Sequence, residues 1–421
     1  MKSGGNDKST AALFNKDEFL GRIRVLAAEE IHRSEALDDA GLMHLIEKTI
    51  ISESQGLFLT LENKRDMANA AFNAIRRLGV LQPFMDDRDV TEIMANGYDS
   101  IFIEKEGYIR RVNASFHDAE SYEDTVQNLV SRANRVVNEA SPIVDARLAD
   151  GSRISVVLPP VALNGPILTI RRFPDTALDM GRLISLGSIS EEAVAFLNKL
   201  VKARYNIFVS GSTGSGKTSL LNALAGFIPR DERIITIEDS AELRFSHVEN
   251  LVRLETRNAN SEGKGIITVR DLIKASLRMR PDRIIVGEVR GAEAFDMLQA
   301  MNTGHEGSMS TGHSNSAGDM LDRLETMVIS AVSLPLEAVR QYIASAIDVI
   351  VHLSRLRDKS RRVVEIAEVA GINEGKIMLN RLFIFNEKGE GKDGRLTGSL
   401  ESTGNRLIRG RKLQMAGFAE A

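Results

Sequence analysis

The chain has 421 residues, enough for two or three domains with sizeable cores. Its 54 basic and 58 acidic residues leave a formal net charge of -4, so the total charge shows no bias toward nucleic acid. There is no cysteine, which excludes disulfides, thiolate metal sites and cysteine nucleophiles.

The amino-terminal part of the chain has two predicted sections. Residues 1–16 are polar, lack the apolar core of a signal peptide and are expected to be disordered. Residues 17–81 are expected to be helical, because FLGRIRVLAAEEI, LMHLIEKTIISES and MANAAFNAIRRLGVL space apolar residues three and four apart. No apolar run approaches the ~20 residues of a membrane-spanning helix, so no transmembrane segment is expected.

Residues 82–175 are expected to form an α+β domain. VTEIMANGYDSIFIEKEGYIRRVNASF alternates apolar and polar residues around a hairpin at residues 105–107. A predicted helix, SYEDTVQNLVSRANRVVNE, precedes two predicted strands, SRISVVLPP and ILTIRRF. Residues 176–187 are interpreted as a linker, after which Ser188 and Glu191 are expected to form a capping box for the next helix.

Residues 188–421 alternate strands with helices, which predicts an α/β domain with a mostly parallel sheet. The predicted strands are NIFVSG, RIITIED, LVRLET and RIIVGEV, and one predicted helix covers residues 269–279. EAVRQYIASAI is expected to be a helix before an exposed hairpin in VIVHLSRLRDKSRRVVEIAEV. The last ~40 residues give a weak structural signal. Within them RLIRGRK is interpreted as a solvated basic run, with contact to anionic lipid as the alternative.

Residues 211–218, GSTGSGKT, match G-x-x-x-x-G-K-[ST] between a predicted strand and a predicted helix. Glycines let successive N–H groups point inward and form an anion site at a helix N-terminus, and a Cβ at Gly214 or Gly216 would crowd a phosphate. Lys217 would reach the β- and γ-phosphates, and the Thr218 hydroxyl would complete the Mg²⁺ shell. The predicted nucleotide-binding residues are Gly211, Ser212, Thr213, Gly214, Ser215, Gly216, Lys217, Thr218 and Ser219.

Three further segments carry polar residues that fit a hydrolase. RIITIEDSAEL places Glu238 and Asp239 at the end of a predicted strand, and RPDRIIVGEVRG ends one in Gly287 and Glu288, where an ordinary second nucleotide motif has Asp-Glu. Hydrolysis needs a carboxylate to orient or deprotonate water, so both glutamates are candidates. TGHEGSMSTGHSNSA adds two histidines, but the segment offers no recognisable third metal ligand.

Together these segments resemble the ATPases of type II and type IV secretion and type IV pili, with ITIED as the acidic box and TGHEGSMSTGH as the histidine box. Within this superfamily the sequence most resembles the CpaF branch, the ATPases of tight-adherence (Flp-type) pilus assembly. The segments that carry this resemblance are VTEIMANG, DARLADGSRI, LRMRPDRIIVGEVRGAEAFDMLQAMNTGHEGS and AIDVIVHLSRLRD. The similarity covers residues 79–369. Gly312 and Ser314 depart from the branch, which has Ile or Leu and Ala there, and Gly312 makes a strand at that point less certain.

The resemblance implies a RecA-like ATPase domain that uses ATP and Mg²⁺. It implies that Glu238 is the catalytic base and that Thr218 and Glu288 bind Mg²⁺. The roles of the two glutamates could be exchanged. His305 and His313 would contact the γ-phosphate or a neighbouring subunit. Arginines of the α+β domain, drawn from Arg147, Arg153, Arg171 and Arg172, would bind the γ-phosphate. The implied catalytic residues are Glu238, Glu288, Lys217, His313, Arg171 and Arg153.

The implied function is an ATP-hydrolysing motor for pilus assembly or protein secretion. Such a motor is a homo-oligomer, a hexamer in this family, in the cytoplasm at the inner face of the membrane, docked on a polytopic membrane protein. The alternative is the ATPase of a conjugative type IV secretion system. A GTPase switch is disfavoured because no N/T-K-x-D segment occurs. No tryptophan and only five tyrosines disfavour a nucleic-acid motor, and the absence of cysteine disfavours the type II branch with its tetracysteine module.

Overall fold

The computed structural model describes residues 16–33, 37–55, 57–105, 107–172, 178–245, 247–257, 259, 264–391 and 394–418. The chain divides into two compact units, Met1–Pro174 and Asp175–Ala421. The segment predicted to be disordered lies outside the described residues, apart from Lys16 at the start of the first helix. In the parts of the chain just given, no helix is long and apolar enough to cross a membrane.

The first unit begins with three helices that share an apolar core. Asp38 and Thr60 cap the second and third helices by accepting hydrogen bonds from the backbone N–H groups of Gly41 (2.7 Å) and Asn63 (3.1 Å). A fourth, short helix leads into the sheet. The helices are α1 (Lys16–Arg33), α2 (Asp39–Glu53), α3 (Leu61–Arg76) and α4 (Gln82–Asp86). The core consists of Ile23, Ala27, Leu42, Ile46, Ile50, Met67, Ala68, Ala71 and Phe72.

A six-stranded antiparallel sheet with one packed helix completes the first unit. Its elements are β1 (Val90–Asn96), β2 (Ile101–Lys105), β3 (Tyr108–Arg111), α5 (Ala119–Arg132), β4 (Ile143–Arg147), β5 (Arg153–Val157) and β6 (Ile167–Arg171). The strand order is β3-β2-β1-β6-β5-β4. The helix predicted up to residue 139 ends early, because Asn134 has a φ of +54° that cannot continue a helix. The short edge strand β4 was not predicted.

The second unit is built on a nine-stranded sheet with the order β15-β14-β13-β12-β7-β11-β10-β8-β9. Its elements are α6 (Met180–Ser185), α7 (Glu191–Lys202), β7 (Ile207–Gly211), α8 (Lys217–Ala225), β8 (Ile234–Glu238), β9 (Leu251–Glu255), α9 (Val269–Ser276), β10 (Arg283–Val286), α10 (Glu293–Asn302), β11 (Met309–His313), α11 (Ala317–Ala331), α12 (Leu336–Ala346), β12 (Val349–Arg355), β13 (Arg361–Asn373), β14 (Lys376–Glu390), β15 (Leu396–Ser402) and α13 (Arg411–Met415).

Six strands of this sheet, β12-β7-β11-β10-β8-β9, run parallel, and β13 to β15 extend it antiparallel. Alternate residues of β7 enter two different apolar cores: Ile207 and Val209 lie in one, and Phe208 lies in the other. Because both faces are covered, β7, β8 and β10 are buried throughout, as their continuous apolar runs require.

The stretch predicted to be a linker contains a helix, and the predicted helix cap is wrong. Helix α6 occupies half of residues 176–187, and Met180 and Leu183 are buried in the core of the second unit. Ser190, not Ser188, caps α7 by accepting a hydrogen bond from the backbone N–H of Ala193 (3.4 Å). Helix α9 also stops at Ser276, three residues before its predicted end.

The hairpin predicted in VIVHLSRLRDKSRRVVEIAEV is present, because β12 and β13 pair antiparallel, but the prediction that it is exposed is wrong, since its first strand lies in the middle of the sheet. Strand β12 runs parallel to β7, and residues 349–353 are buried. The sequence could not show this, since the helix before β12 returns the chain to a strand 142 positions earlier in sequence.

The basic run RLIRGRK is held against the protein and is not a solvated tail. The backbone N–H groups of Ile408 and Arg409 donate to the Glu368 carboxylate at 2.8 and 2.6 Å, and the Lys412 Nζ donates to Asp348 Oδ2 at 2.8 Å. Both carboxylates are buried, and buried carboxylates need such partners. The end of the sequence gives only a weak structural signal, but it forms two strands and a helix, β14, β15 and α13.

Candidate active site

The glycine-rich segment connects the end of β7 to the start of α8. Gly211, Gly214 and Gly216 have φ angles of +155°, +70° and +98°, which favour glycine. A Cβ on Gly211 would lie 2.4 Å from the Leu353 carbonyl oxygen, so this residue is also sterically fixed. A Cβ on Gly214 would meet no protein atom within 4 Å, so backbone conformation alone requires glycine there.

The nine residues predicted to bind nucleotide, 211–219, run from the last residue of β7 through a loop into the first turn of α8. The N-terminal residues of a helix carry N–H groups without intrahelical partners, and these groups bind phosphate well. Thr218 and Ser219 lie half-buried in the first turn. The loop therefore has the conformation and the polarity of a phosphate site.

Lys217 is buried beside this loop, with only 7% of its surface exposed. Its Nζ donates to the carbonyl oxygens of Gly211 and Ser212 at 3.0 Å each. The same Nζ lies 3.2 Å from Nδ1 of His313, at the carboxyl end of β11. The ammonium is therefore held at the loop by groups that a phosphate oxygen can replace.

His313 links the lysine to an acidic residue. Its Nε2 lies 2.8 Å from Glu288 Oε1, and Glu288 Oε2 accepts a hydrogen bond from Arg290 Nη2 at 2.8 Å. Burial lowers the pKa of His313, and the nearby Lys217 lowers it further against the opposing effect of Glu288. A neutral imidazole with its proton on Nε2 accepts from Lys217 through Nδ1 and places its polar N–H close to the Glu288 carboxylate. The result is a continuous chain, Lys217–His313–Glu288–Arg290.

Glu238 ends β8 and is buried, with 4% of its surface exposed. Its Oε2 accepts hydrogen bonds from the backbone N–H groups of Glu242 and Leu243 at 2.7 and 2.9 Å. Burial raises the pKa of Glu238 to about 7, although the two N–H groups act in the opposite direction. Over the described ranges, Oε1 has no hydrogen-bond partner. The two backbone N–H groups thus hold Oε2 in place, and Oε1 can accept a hydrogen bond or a proton.

Gly287 makes room for Glu238. A Cβ at position 287 would lie 3.0 Å from Glu238 Cγ and 3.6 Å from its Oε2. The Thr311 hydroxyl of β11 donates to the Gly287 carbonyl oxygen at 2.7 Å, which fixes the turn after β10. The aspartate that ordinary nucleotide motifs carry at this position would collide with Glu238.

The model of the family described as type II/IV secretion system protein matches residues 76–396. This chain belongs to that family. A putative conjugal transfer protein of Mycobacterium tuberculosis is 39% identical over 295 residues, which cover 69% of this chain and 83% of that protein. The conjugal transfer protein TrbB of Rhizobium radiobacter is 34% identical over 291 residues, covering 68% and 86%.

The X-ray structure of the Yersinia pseudotuberculosis ATPase DotB matches with a TM-score of 0.50 at 14% identity and covers 78% of this chain and 79% of that one. At that identity the likeness concerns the fold alone, and it confirms the predicted RecA-like α/β class. The family confirms the prediction of a secretion-type ATPase, and an ATPase binds nucleotide. The conjugative alternative agrees with the same relatives.

The structure of this secretion ATPase brings Lys217, His313, Glu288 and Glu238 to one edge of the sheet, where β7, β11, β10 and β8 end. His305 does not join them. It precedes β11, at the opposite end from His313, and its Nδ1 lies 3.3 Å from the Ala300 carbonyl oxygen. Among the residues that the structure describes, no group of three or more His, Cys, Asp or Glu could hold a metal ion.

Gly312 lies within strand β11, so the doubt about a strand there is removed. A Cβ at Gly312 would lie 2.9 Å from Met320 Sδ and 3.0 Å from the Phe208 ring. The long Met320 side chain of α11 therefore fills the space that an Ile or Leu side chain at position 312 would need.

Three of the four candidate arginines form a row across the sheet of the first unit. Arg147 on β4 is directly opposite Arg153 on β5, which is directly opposite Arg171 on β6. Like charges in direct register cost stability unless an anion is nearby, and Arg171 has Glu92 as its other neighbour. Arg172 is separate, because its guanidinium donates to the carbonyl oxygens of Asp87 and Val90.

Two residues beside the loop were not found from the sequence. His352 on β12 is buried, its Nδ1 lies 2.9 Å from Ser210 Oγ, and burial lowers its pKa. Arg361 at the start of β13 donates through Nε to the Gly214 carbonyl oxygen at 2.8 Å. A histidine inside the apolar run VIVHL could have drawn attention to His352, whereas nothing local in the sequence marks Arg361.

Proposed function

We propose that this secretion-family ATPase drives assembly of a tight-adherence (Flp-type) pilus or a closely related export machine, using Mg²⁺ and ATP. The observation that carries the proposal is the chain from Lys217 through His313 to Glu288 beside the buried Glu238. This constellation joins a phosphate-binding residue to two carboxylates at one sheet edge, which is what hydrolysis of a phosphoanhydride requires.

Glu238 is proposed as the base that accepts the proton of the attacking water. Its raised pKa, about 7, makes the carboxylate a stronger proton acceptor than an ordinary glutamate near neutral pH. Both oxygens of Glu288 are already in contact with His313 and Arg290, which weakens its ability to accept a proton. The structure therefore supports Glu238, rather than Glu288, in this role.

Mg²⁺ is proposed to bind near Thr218 and Glu288. A hydroxyl and a carboxylate are the oxygen donors that Mg²⁺ prefers, and such sites take their remaining ligands from water and phosphate. When bound, the ion neutralises charge on the β- and γ-phosphate oxygens. Glu288 would hold the ion in place of its contact with His313, and Lys217 would donate to phosphate oxygens in place of the carbonyl oxygens of the loop.

Arg153 and Arg171 are proposed to bind the γ-phosphate during turnover. The row of Arg147, Arg153 and Arg171 supports this, because it brings three guanidinium groups together on neighbouring strands. Arginine is suited to the task, since its planar fork meets two phosphate oxygens at once. Arg172 is not assigned this role, because its guanidinium already donates to backbone carbonyl oxygens.

The working form is proposed to be a hexamer at the inner face of the cytoplasmic membrane, docked on a polytopic membrane protein. Membership of the secretion family supports this arrangement. A second candidate function is the ATPase of a conjugative transfer system, which is favoured by the relatives named as conjugal transfer proteins. Deleting the gene from its source organism separates the two functions, through loss of surface pili or loss of DNA transfer to a recipient.

The biochemical test is ATP hydrolysis as a function of protein concentration, with size measured by light scattering. We expect specific activity to rise as a hexamer forms, and to be lost in Glu238→Gln and in Arg171→Ala. Arg110→Ala is the matched control, because Arg110 lies exposed on β3 of the same sheet. Full activity in the monomer, unchanged by Arg171→Ala, would contradict the proposed mechanism.

A further inference from the structure

We propose that His352 is a positioning residue, which holds the segment that carries His313 in position beside the phosphate loop. His352 lies within β12 and is buried, with 5% of its surface exposed. A buried polar ring costs free energy unless its nitrogen atoms have partners, so the contacts of this ring indicate its role. The role rests on the proposed function, because it serves the hydrolysis of ATP.

The first contact joins the ring to the strand that leads into the phosphate loop. Ser210 of β7 is directly opposite His352 in the parallel pairing of β7 with β12. The His352 Nδ1 lies 2.9 Å from the Ser210 Oγ, and Ser210 is completely buried. Since Gly211 comes next, the ring contacts the last side chain before the glycine-rich turn begins.

The second contact joins the same ring to the segment after β11. Burial lowers the pKa of His352 and favours its neutral form, whereas a hydrogen bond with the backbone of Asn315 acts in the opposite direction. A hydrogen bond that raises a histidine pKa is one in which the ring donates, so the Asn315 carbonyl oxygen accepts. Because a neutral imidazole has a single N–H group, the Ser210 hydroxyl then donates to Nδ1.

The two contacts link two walls of a cavity of about 570 Å³ beside the phosphate loop. Residues 212–213 of the loop line one side of this cavity, and residues 313–315 line another. His352 contacts Ser210, which leads into the first of these segments, and Asn315, which ends the second. One buried ring therefore connects the segments from which both walls are built.

Backbone pairing holds the two segments together only as far as His313. The parallel pairing of β7 with β11 ends where Gly211 is opposite His313. The next backbone contact, from the Ser314 N–H to the Gly211 carbonyl oxygen, is long at 3.4 Å. The hydrogen bond from His352 to Asn315 comes directly after this point, so it restrains the segment where the pairing of the sheet has ended.

A displacement of this segment would reach the active site through His313. The imidazole of His313 lies 3.2 Å from Lys217 Nζ and 2.8 Å from Glu288 Oε1. Catalysis depends on such distances, and a misplacement of about 1 Å can cost about 100-fold in rate. Loss of the restraint is therefore expected to slow hydrolysis, while the phosphate loop keeps the N–H groups that bind nucleotide.

A purely structural role for His352 is the competing interpretation. Ile350, on the same face of β12, belongs to an apolar core, so the ring could simply join β12 to β7 within that core. This interpretation predicts that changes at position 352 lower stability and leave kcat unchanged. A positioning role predicts that kcat depends on which of the two hydrogen bonds is kept.

The experiment measures steady-state ATP hydrolysis and the temperature of unfolding for three substitutions in the full chain. His352→Phe keeps a planar ring and removes both hydrogen bonds, so we expect kcat to fall about tenfold with KM within about twofold. His352→Asn keeps a polar group near the position of Nδ1 and should be as slow as His352→Phe. His352→Gln reaches the position of Nε2 and keeps a donor for Asn315, so it should restore kcat to within about threefold of the wild type.

Ser308→Ala is the matched control. Ser308 is completely buried, and its hydroxyl donates to the His305 carbonyl oxygen at 2.7 Å. It directly precedes β11, at the opposite end of that strand from His313. The substitution should lower the temperature of unfolding and leave kcat within about twofold of the wild type.

Ser210→Ala tests the same link with a smaller change. It removes the hydroxyl that His352 contacts and should lower kcat by less than His352→Phe does. Combining the two substitutions should give no further loss of kcat, because both residues act through one contact.

Several outcomes would overturn the proposal. Full activity in His352→Phe, or equal kcat values for His352→Phe and His352→Gln, would mean that the ring serves stability alone. A raised KM with unchanged kcat would mean that His352 shapes the phosphate loop instead of holding His313.

A spectroscopic measurement separates this inference from the proposed function. In protein labelled with ¹⁵N-histidine, the imidazole signal of His313 is identified by its loss in His313→Ala. His352→Phe should move this signal, and Ser308→Ala should not. A wild-type protein that does not hydrolyse ATP would refute the proposed function, whereas a His313 signal that His352→Phe leaves in place would refute the positioning role.

Discussion

At the amino end of β10, Arg283 is completely buried, and its Nε and Nη2 donate to the two oxygens of Glu232 at 2.5 and 3.0 Å. Its Nη1 donates to the Val201 carbonyl oxygen at 2.8 Å. At the carboxyl end of β8, Glu238 is almost as deeply buried. Two backbone N–H groups hold one of its oxygens, and no partner holds the other in the described parts of the chain.

Buried charged side chains at the two ends of the same sheet therefore differ in how completely they are hydrogen-bonded. The charges of Arg283 and Glu232 are both paired, Glu232 also contacts Arg204, and removing one partner of such a buried pair is costly. Glu238 keeps a raised pKa and one unused acceptor, which is unfavourable for folding and useful for proton transfer. Each of the following changes tests this contrast.

The largest effect is expected from Arg283→Met. Removing the guanidinium leaves Glu232 as a buried charge without its main partner, which costs about 3–5 kcal/mol of unfolding free energy. Urea unfolding followed by circular dichroism measures the loss. Arg290→Met is the control, because Arg290 pairs with Glu288 at the exposed end and should cost less than about 1 kcal/mol. Equal losses for the two variants would contradict the comparison.

A loss of activity without loss of stability is expected from His313→Ala. The imidazole contacts Glu288 and Lys217, so we expect kcat to fall by about 10- to 100-fold. His305→Ala should stay within about twofold, because His305 lies at the other end of β11. Steady-state hydrolysis of ATP by the two variants decides the matter, and similar kcat values would remove His313 from the site.

The rate of hydrolysis should increase with pH. Burial raises the pKa of Glu238 to about 7, so a base in this position is mostly protonated at pH 6 and mostly ionised at pH 8. We expect kcat to rise about tenfold over this interval. Burial lowers the pKa of His313, which is the opposite direction from the shift of Glu238, so the rise is assigned to Glu238. A flat profile measured with saturating ATP would argue against Glu238 as the base.

The same raised pKa has the opposite effect on stability. An exposed glutamate in the unfolded chain ionises near its ordinary pKa of 4.5, below the folded value. The folded state therefore binds more protons between these values, and its stability falls as the pH rises through this window. Glu238→Gln should abolish this dependence and should unfold at a higher temperature than the wild type at pH 8, as measured by calorimetry.

The smallest effect is expected from Gly287→Ala. The added methyl group would lie 3.0 Å from Glu238 Cγ, so the glutamate must shift by a few tenths of an ångström. We expect a several-fold lower kcat and a stability loss of about 1 kcal/mol. Gly291→Ala serves as the control, because its added Cβ would meet only Glu293 Oε2 at 3.4 Å. A fully active Gly287→Ala would show that Glu238 is not tightly positioned.

Local chemistry explains which parts of the site could be predicted from sequence. The phosphate loop is one contiguous segment, and Glu238 and Glu288 lie at the ends of strands that meet at one edge of the sheet, so the sequence could predict that they lie together there. His305 and His313 belong to one motif, but the strand between them carries them to opposite edges, which the motif does not reveal. The sequence also gave no sign that β12 pairs with β7, and the contact of Arg361 with the loop depends on that pairing.

The segment around Arg409 and Lys412 also bears on how the second unit forms during synthesis. Asp348 lies next to β12 and Glu368 within β13, and each is buried with a carboxylate that residues 408–412 hold. Until the ribosome has delivered those residues, burying either carboxylate leaves it short of partners, which is costly. The strand that supports the phosphate loop is therefore expected to dock late, after the end of this segment has emerged, rather than as soon as β12 itself has been translated.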